Sequence, residues 1–140
     1  MPHMIKGIAH VCIGCSDLAV VERFYCQCLG FTKQFEFVKS GKVVGFYLQV
    51  VPNMYLEFFQ ADSVPVTASP IQHLCLETDD IDATIARLKS HGYETGEKKL
   101  GADHTPQVWT RNAPDGIAIE FHQYTPQSCQ ITGHPCEVDW

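Results

Sequence analysis

Two apolar segments that share one pattern constrain the fold of this 140-residue chain more than any other feature. Residues 8–14 read IAHVCIG and residues 71–77 read IQHLCLE, so each segment has a histidine third and a cysteine fifth. The two histidines, His10 and His73, are 63 positions apart. Each segment leads into an acidic and then an amphipathic stretch. This repetition predicts that one structural module occurs twice.

A second pair of segments repeats at the same spacing. Residues 54–60 read MYLEFFQ and residues 117–123 read IAIEFHQ. Their glutamates, Glu57 and Glu120, are also 63 positions apart. Each module therefore contributes one histidine and one glutamate to the fold.

The repeat divides the chain into parts. A chain of this length is too short for two independent hydrophobic cores, so we expect the modules to share one domain, 1–124. The small, proline-containing stretch between the modules is a predicted linker. The last residues show little periodicity and are a predicted tail. The boundaries are 5–60 for module one, 61–70 for the linker, 71–124 for module two and 125–140 for the tail.

Apolar periodicity and turn signals predict the same order in both modules, a strand, a helix and three strands. Ser16-Asp17 and Asp79-Asp80 are predicted helix N-caps, and Gly30 and Gly92 end the helices. Module one has predicted strands at 6–14, 31–38, 43–51 and 54–60, with a helix from Leu18 to Cys28 between the first two. Module two has predicted strands at 71–77, 93–99, 107–112 and 117–124, with a helix beginning near Ile81.

Charge and hydropathy exclude several classes of protein. The net charge is −6, and no basic cluster exceeds Lys98-Lys99, so we do not expect nucleic acid as a partner. The apolar runs are far shorter than the roughly 20 residues of a membrane span. The N-terminal residues MPHMIKG lack the regions of a signal peptide. We therefore expect a cytoplasmic protein without membrane contact.

The cysteines indicate free thiols. Seven is an odd number, and no secretion signal precedes them. Cys12 and Cys15 form a C-x-x-C, but residues three apart in a strand point to opposite faces. We interpret both as small buried residues.

Strand alternation allows His10, Glu57, His73 and Glu120 to point away from the helices. Each glutamate strand places apolar residues on its opposite face, which suits packing beneath a helix. An unpaired carboxylate in so apolar a setting costs several kcal/mol. Two imidazoles and two carboxylates are typical ligands of nickel, cobalt, zinc, iron or manganese rather than of calcium. The sequence predicts one such divalent transition metal per site, bound by this quartet.

The chain resembles the vicinal-oxygen-chelate superfamily, which groups glyoxalase I, methylmalonyl-CoA epimerase, extradiol dioxygenases and bleomycin- and fosfomycin-resistance proteins. The resemblance extends to about Tyr124. It implies an α+β fold in which two tandem βαβββ modules form a curved, open eight-stranded sheet around a metal cleft, with the same quartet as ligands. The motifs that carry it are IAHVCIGCSDL (8–18), FYCQCLGF (24–31), MYLEFF (54–59), IQHLCLETDDID (71–82) and NAPDGIAIEF (112–121).

The resemblance also implies chemistry. In the isomerases and lyases of this superfamily a metal chelates two neighbouring substrate oxygens and stabilises an enediolate while a proton moves. A glutamate in a ligand position is the base, which implies catalytic roles for Glu120 and Glu57, with Glu120 favoured. His122, on the same face as Glu120, is a candidate second acid or base. The expected function is a glyoxalase I-like or epimerase-like reaction on a small carbonyl substrate.

Two alternatives stay open, an Fe(II) ring-cleaving dioxygenase and a non-catalytic drug-binding resistance protein. Extradiol dioxygenases use two histidines and one glutamate, and sequestering proteins need no metal quartet. The complete set therefore favours the lyase or isomerase. Glutathione-dependent bacterial lyases have an arginine four residues after the first histidine, where this chain has Gly14. Lactoylglutathione is therefore not the expected substrate.

Several residues around the predicted PDG turn are candidates to line a substrate cleft, namely His104, Gln107, Trp109 and Arg111, together with His122. The modules must pair to close such a cleft and protect their strand edges. The short linker contains Pro65 and Pro70, which restricts pairing within one chain. We expect a homodimer in which the first module of one subunit meets the second module of the other.

Overall fold

The computed structural model describes residues 8, 10–60, 73–134, 136 and 138. The predicted linker at 61–70 and the first two residues of the predicted strand 71–77 lie outside the described residues. The chain divides into two compact units, Met1–Thr67 (unit 1) and Ala68–Trp140 (unit 2).

Each unit has the predicted βαβββ order. In unit 1 the elements are β1 (His10–Cys15), α1 (Leu18–Glu22) continued by a π-helical segment (Arg23–Cys28), β2 (Thr32–Lys39), β3 (Lys42–Val51) and β4 (Met54–Gln60). In unit 2 they are β5 (Leu74–Glu77), α2 (Ile81–Ser90), β6 (Lys99–Leu100), β7 (Pro106–Thr110), a 3₁₀ turn (Pro114–Gly116), β8 (Ile119–His122) and α3 (Cys129–Thr132).

Each unit builds one four-stranded sheet with the same topology. The strand orders are β1-β4-β3-β2 and β5-β8-β7-β6, so the first strand of each unit lies beside the last. That pairing is parallel in both units, whereas the remaining pairs are antiparallel. The α+β fold of two repeated modules is confirmed, as eight strands in two four-stranded sheets.

The helices begin where the sequence predicts. Asp17 accepts a hydrogen bond from the backbone N–H of Ala19 at 2.8 Å. Asp80 accepts one from Ala83 at 3.0 Å. These side chains satisfy N–H groups that the first helical turn leaves without an intrahelical partner. No described helix is both long and apolar enough to span a membrane.

The apolar face of each sheet packs against its helix. In unit 1 the aromatic ring of Tyr25 lies 4.8 Å from that of Phe58, centroid to centroid, and both residues are buried. In unit 2 Leu88 of α2 is buried, as are Val108 and Phe121 of the sheet. Burying an aliphatic or aromatic side chain of this size contributes about 1.5–3 kcal/mol. The opposite face carries Glu57 in unit 1 and Glu120 in unit 2, and we call it the polar face, although in unit 1 it also carries aromatic rings such as that of Phe35.

The strand predicted at 93–99 is wrong over most of its length. Only a single bridge between Thr95 and Thr110 and the two-residue β6 occur there. The side chain of Asn112 accepts the Glu94 N–H at 2.7 Å, in place of a ladder partner. The stretch from Gly96 onward is charged and offers no alternating apolar face, which disfavours a regular strand.

The described part of the tail packs onto unit 2. The backbone N–H of Cys129 donates to the Asp103 carbonyl at 2.9 Å. The side-chain amide of Gln130 donates to the Asp103 carboxylate at 2.6 Å. The Thr105 hydroxyl donates to Gln130 Oε1 at 3.1 Å. Helix α3 is therefore tied to the turn between β6 and β7.

Gly45 in β3 occupies a position where a side chain does not fit. A Cβ atom there would overlap the Phe58 carbonyl oxygen and lie 2.7 Å from Cδ1 of Phe59. We expect Gly45→Ala to lower the free energy of unfolding by about 1–3 kcal/mol, the usual cost of overpacking. Urea unfolding followed by circular dichroism measures this.

Gly14→Ala is the matched control, because Gly14 lies in β1 of the same sheet and a Cβ there has open space within 4 Å. Its free energy of unfolding should stay within about 1 kcal/mol of the unsubstituted protein. Equal losses in the two variants would contradict the packing argument.

Candidate metal centre

Unit 1 places His10 and Glu57 on one face of its sheet. In the parallel pairing of β1 with β4, His10 is opposite Tyr55 and Cys12 is opposite Glu57. His10 Nε2 lies 3.9 Å from Glu57 Oε1, and the Glu57 side chain is 16% exposed. The predicted strand faces are therefore correct for this pair.

Tyr47 orients the imidazole of His10. Its hydroxyl and His10 Nδ1 share a hydrogen bond of 2.7 Å, and the two rings meet edge to face at 5.4 Å. A hydrogen-bond partner on Nδ1 holds the ring so that Nε2 faces Glu57. Partial desolvation and then the charge of Glu57 raise the pKa of Tyr47. Its hydroxyl therefore stays protonated and available for hydrogen bonding.

Unit 2 repeats the arrangement with a shorter contact. His73 directly precedes β5, and its Nε2 lies 3.3 Å from Glu120 Oε2. Trp109 is opposite Glu120 in the antiparallel pairing of β7 with β8, and its ring meets the His73 ring edge to face at 4.8 Å. Trp109 thus supports His73 as Tyr47 supports His10, although by packing rather than by a hydrogen bond.

Glu120 is more deeply buried than Glu57. Its side chain is 8% exposed, and its Oε1 lies 2.8 Å from Nε2 of His122. A buried carboxylate is tolerated only when hydrogen-bonded or paired. The imidazoles of His122 and His73, one near each oxygen, meet that requirement.

Each carboxylate also contacts a thiol. Burial, followed by the hydrogen bond and charge of Glu57, raises the pKa of Cys12. Burial, followed by the charge and hydrogen bond of Glu120, raises the pKa of Cys75 to about 12. Both cysteines are exposed at the residue level, so the expectation of a buried Cys12 is wrong. Cys15 is buried, as expected, and none of the seven cysteines forms a disulfide.

The candidate substrate-binding residues occupy different places. His122 is buried beside Glu120, and Trp109 adjoins His73. Arg111 lies just beyond β7, with its backbone N–H donating to the Glu94 carbonyl at 3.0 Å. His104 is exposed in the turn before β7 with a φ of 61°.

A groove of about 360 Å³ links part of this set. Trp109 and Arg111 line it, whereas His104 does not. Gln107, also in its lining, is opposite His122 in the β7–β8 pairing and so shares the face of the candidate site. The remaining lining residues are Gly96, Glu97 and Lys99.

Sequence reasoning missed three contributors: Tyr47, Asp103 and the thiols. Although burial opposes it, the hydrogen bond from Gln130, then that from Thr105 and the nearby charge of His122 lower the pKa of Asp103. The sequence did contain a signal for the thiols, because Cys12 and Cys75 repeat at the same 63-residue spacing as the two histidines. Tyr47 and Asp103 had none, since His10 and Gln130, with which their side chains form hydrogen bonds, are distant in sequence.

The residues fit a divalent transition metal. Each unit directs a histidine nitrogen toward a largely buried carboxylate on the polar face of its sheet. His10 also has its second ring nitrogen hydrogen-bonded, which is typical of metal-ligating histidines. Imidazole and carboxylate donors together suit nickel, cobalt, zinc, iron or manganese.

Comparison with known proteins agrees with this fold. Residues 9–108 match the family model of the Glyoxalase/Bleomycin resistance protein/Dioxygenase superfamily. Because that match spans most of the chain, the protein belongs to this superfamily.

Individual relatives cover nearly the whole chain. The uncharacterized protein YaeR of Escherichia coli K12 is 29% identical over 125 residues, which are 85% of this chain and 97% of YaeR. The crystal structure of a glyoxalase family protein from Enterococcus faecalis has a TM-score of 0.74 at 27% identity, covering 86% of this chain and 99% of that one. TnmS3, an antibiotic binding protein from Streptomyces sp. CB03234, has a TM-score of 0.71 at 22% identity, covering 89% and 100%. The TnmS3 likeness shows the fold alone.

The contact between His122 and Glu120 generates a stability prediction. His122→Phe introduces the residue type that module one has 63 positions earlier, at Phe59, and removes the hydrogen bond to a buried carboxylate. We expect the free energy of unfolding to fall by about 1–3 kcal/mol. Chemical denaturation near neutral pH measures the change.

The double variant His122→Phe/Glu120→Gln is the control, because a neutral amide costs less to bury than an unpaired carboxylate. It should recover part of the loss. If Glu120→Gln instead adds its full separate cost to that of His122→Phe, the two side chains do not interact.

Proposed function

We propose that the protein is a divalent-metal-dependent lyase or isomerase, which moves a proton on the carbon next to a carbonyl group of a small substrate. The observation that carries the proposal is the repeated pair of a histidine and a largely buried glutamate on the polar face of each sheet. His10 with Glu57, and His73 with Glu120, are the two pairs. A protein that only enclosed an apolar ligand would have no need to bury two carboxylates on that face.

In this proposal the two pairs together hold one nickel, cobalt, zinc, iron or manganese ion. When bound, the ion supplies Lewis acidity to the substrate oxygens and so acidifies the neighbouring C–H group. The two histidines would bind the ion. The hydrogen bond from Tyr47 holds the ring of His10, and the ring of Trp109 packs against that of His73. The groove beside Trp109 is the proposed place for the substrate.

Glu120 is the proposed base, with Glu57 as the second catalytic carboxylate. Its Oε1 is hydrogen-bonded to His122 Nε2 at 2.8 Å, so the abstracted proton can be shared between carboxylate and imidazole. The Glu120 side chain is 8% exposed, so the proton still has a route for exchange with solvent. His122 thus positions the base and stores the proton.

The first functional prediction concerns exchange. A panel of 2-hydroxy-carbonyl, hemithioacetal and acyl-CoA substrates should include one whose α-proton exchanges with deuterated solvent only with metal present. Glu120→Gln should slow this exchange by about 10²–10⁴-fold, the range for a lost general base. Proton NMR follows the loss of the α-hydrogen signal.

Glu36→Gln is the control, since Glu36 is an exposed strand glutamate paired with Lys33 outside the candidate site. Its exchange rate should be unchanged. Metal-independent exchange, or equal slowing in both variants, would contradict the proposal. Oxygen uptake with ring opening of a catechol would instead assign the ring-cleaving dioxygenase.

A second candidate function, drug binding, is favoured by the aromatic side chains on the polar face of unit 1. The rings of Phe35 and Tyr47 are stacked with their centroids 4.7 Å apart, and the ring centroids of Tyr47 and Tyr55 are 5.0 Å apart. Such rings suit a flat aromatic ligand. The antibiotic-binding neighbour TnmS3 has the same fold. Tight binding of an aromatic drug, with no exchange on the panel, would select this function.

Assembly follows from the same proposal, because a four-ligand site needs one pair from each unit. We propose a homodimer in which His10 and Glu57 of one subunit join His73 and Glu120 of the other. Mixing inactive His10→Ala chains with inactive His73→Ala chains should then restore activity. Each hybrid dimer regains one intact site, while its other site is doubly altered, so half of its sites are active.

Proton exchange of the mixture, compared with that of each variant alone, measures this recovery. Subunit exchange is verified by native mass spectrometry of one isotope-labelled variant. Confirmed hybrids without activity would contradict the cross-subunit arrangement.

A further inference from the structure

Unit 2 gathers more metal donors than its half of a four-ligand site requires. Donor atoms of Cys75, Glu120 and His122 all lie within 4.8 Å of one another. Cys75 is directly opposite Glu120 in the β5–β8 pairing. His73 Nε2 is 3.3 Å from the second oxygen of Glu120. One sulfur, one carboxylate and two imidazoles therefore meet within a single unit.

His122 is buried, and its two ring nitrogens have different surroundings. The residue is 8% exposed, and its Nδ1 has no hydrogen-bond partner among the described residues. A buried polar nitrogen left unpaired costs about 1–3 kcal/mol, so such atoms are rare in folded proteins. Its other nitrogen shares a proton with Glu120 at 2.8 Å. Two groups that share one proton this closely are already placed to share a metal ion instead.

Unit 1 is an internal comparison for this cluster. It has the equivalent thiol, Cys12, opposite Glu57, and its histidine is His10. The position equivalent to His122 is Phe59, whose ring packs against Phe37 at 4.6 Å. The carboxylate and imidazole of unit 1 are also 3.9 Å apart rather than 3.3 Å. The fourth donor is thus specific to unit 2.

We propose that unit 2 alone binds one zinc or cobalt ion through Cys75, Glu120 and His122, with His73 as the fourth donor. Ligand distances of about 2.0–2.3 Å place tetrahedral donors about 3.3–3.8 Å apart. The donor atoms of Cys75, Glu120 and His122, which lie within 4.8 Å of one another, reach this spacing by side-chain movements of about 1 Å. A thiolate with imidazoles favours zinc and cobalt over manganese and magnesium. The proposal holds whether or not the four-ligand site of both units forms.

The two ligand sets share Glu120 and His73, so a single ion occupies one or the other. Unit 2 can therefore hold its ion when the unit 1 ligands are absent. The thiolate also separates the sets chemically. Only an ion in the unit 2 set has a sulfur ligand, which gives cobalt a thiolate-to-metal charge-transfer band in the near ultraviolet.

The test uses the full-length variant His10→Ala/Glu57→Ala, which lacks the unit 1 ligands, titrated with Co²⁺. We expect one Co²⁺ per chain with the thiolate charge-transfer band. Adding Cys75→Ser in this background should remove the band and weaken Co²⁺ binding by at least about tenfold, the lower end of what even an outer-shell substitution costs. Adding Cys12→Ser, the matched control, should change neither. Circular dichroism verifies that each chain is folded.

Three outcomes would overturn the proposal. These are no Co²⁺ binding by the His10→Ala/Glu57→Ala chain, binding without a thiolate band, and a band lost equally with Cys12→Ser. None of them bears on proton exchange by the unsubstituted protein, which tests the proposed function. Conversely, a thiolate band in the variant without exchange in the unsubstituted protein supports the unit 2 site and contradicts only the function.

Discussion

The parallel pairing of the first and last strand in each unit is the constraint on which the candidate site depends. It places Cys12 opposite Glu57 and Cys75 opposite Glu120. Because strand side chains alternate, a slip of one residue would turn each carboxylate into the apolar layer beneath the helix. The buried contacts of Phe58 in unit 1 and Phe121 in unit 2 therefore determine the register of the strand pairing as well as contributing to the stability of the fold. Packing on the apolar face of each sheet therefore determines which side chains lie on the polar face.

The two units stabilise their carboxylates differently. Glu57 remains partly exposed and has a thiol and a more distant imidazole as neighbours. Glu120 is nearly enclosed, with His122 on one oxygen and His73 near the other. An enclosed carboxylate with two basic neighbours is suited to accepting and passing on a proton.

The sequence predicted what the repeat determines. The 63-residue spacing and strand alternation predicted that His10 and Glu57 share one face of the first sheet, and that His73 and Glu120 share one face of the second. Backbone topology alone determines these neighbours. The strand prediction for 93–99 was wrong because the Asn112 side chain replaces a backbone partner at Glu94 and the charged residues that follow offer no apolar face. The support of His10 by Tyr47 was not predictable, since it depends on the register between β3 and β4.

Departures from the repeat are more informative about chemistry than the repeat itself. A duplicated module keeps its backbone and its apolar layer because both are needed to fold. Positions on the polar face are under no such constraint, and there the units diverge. Unit 1 has Phe59 packed on Phe37, within a series of aromatic rings. Unit 2 has His122 at the equivalent position, bonded to Glu120. Since a buried histidine costs more than a phenylalanine in the same place, its presence requires a partner that the fold alone does not need. The carboxylate of Glu120 is that partner, and the ion that we propose for unit 2 would be shared with it.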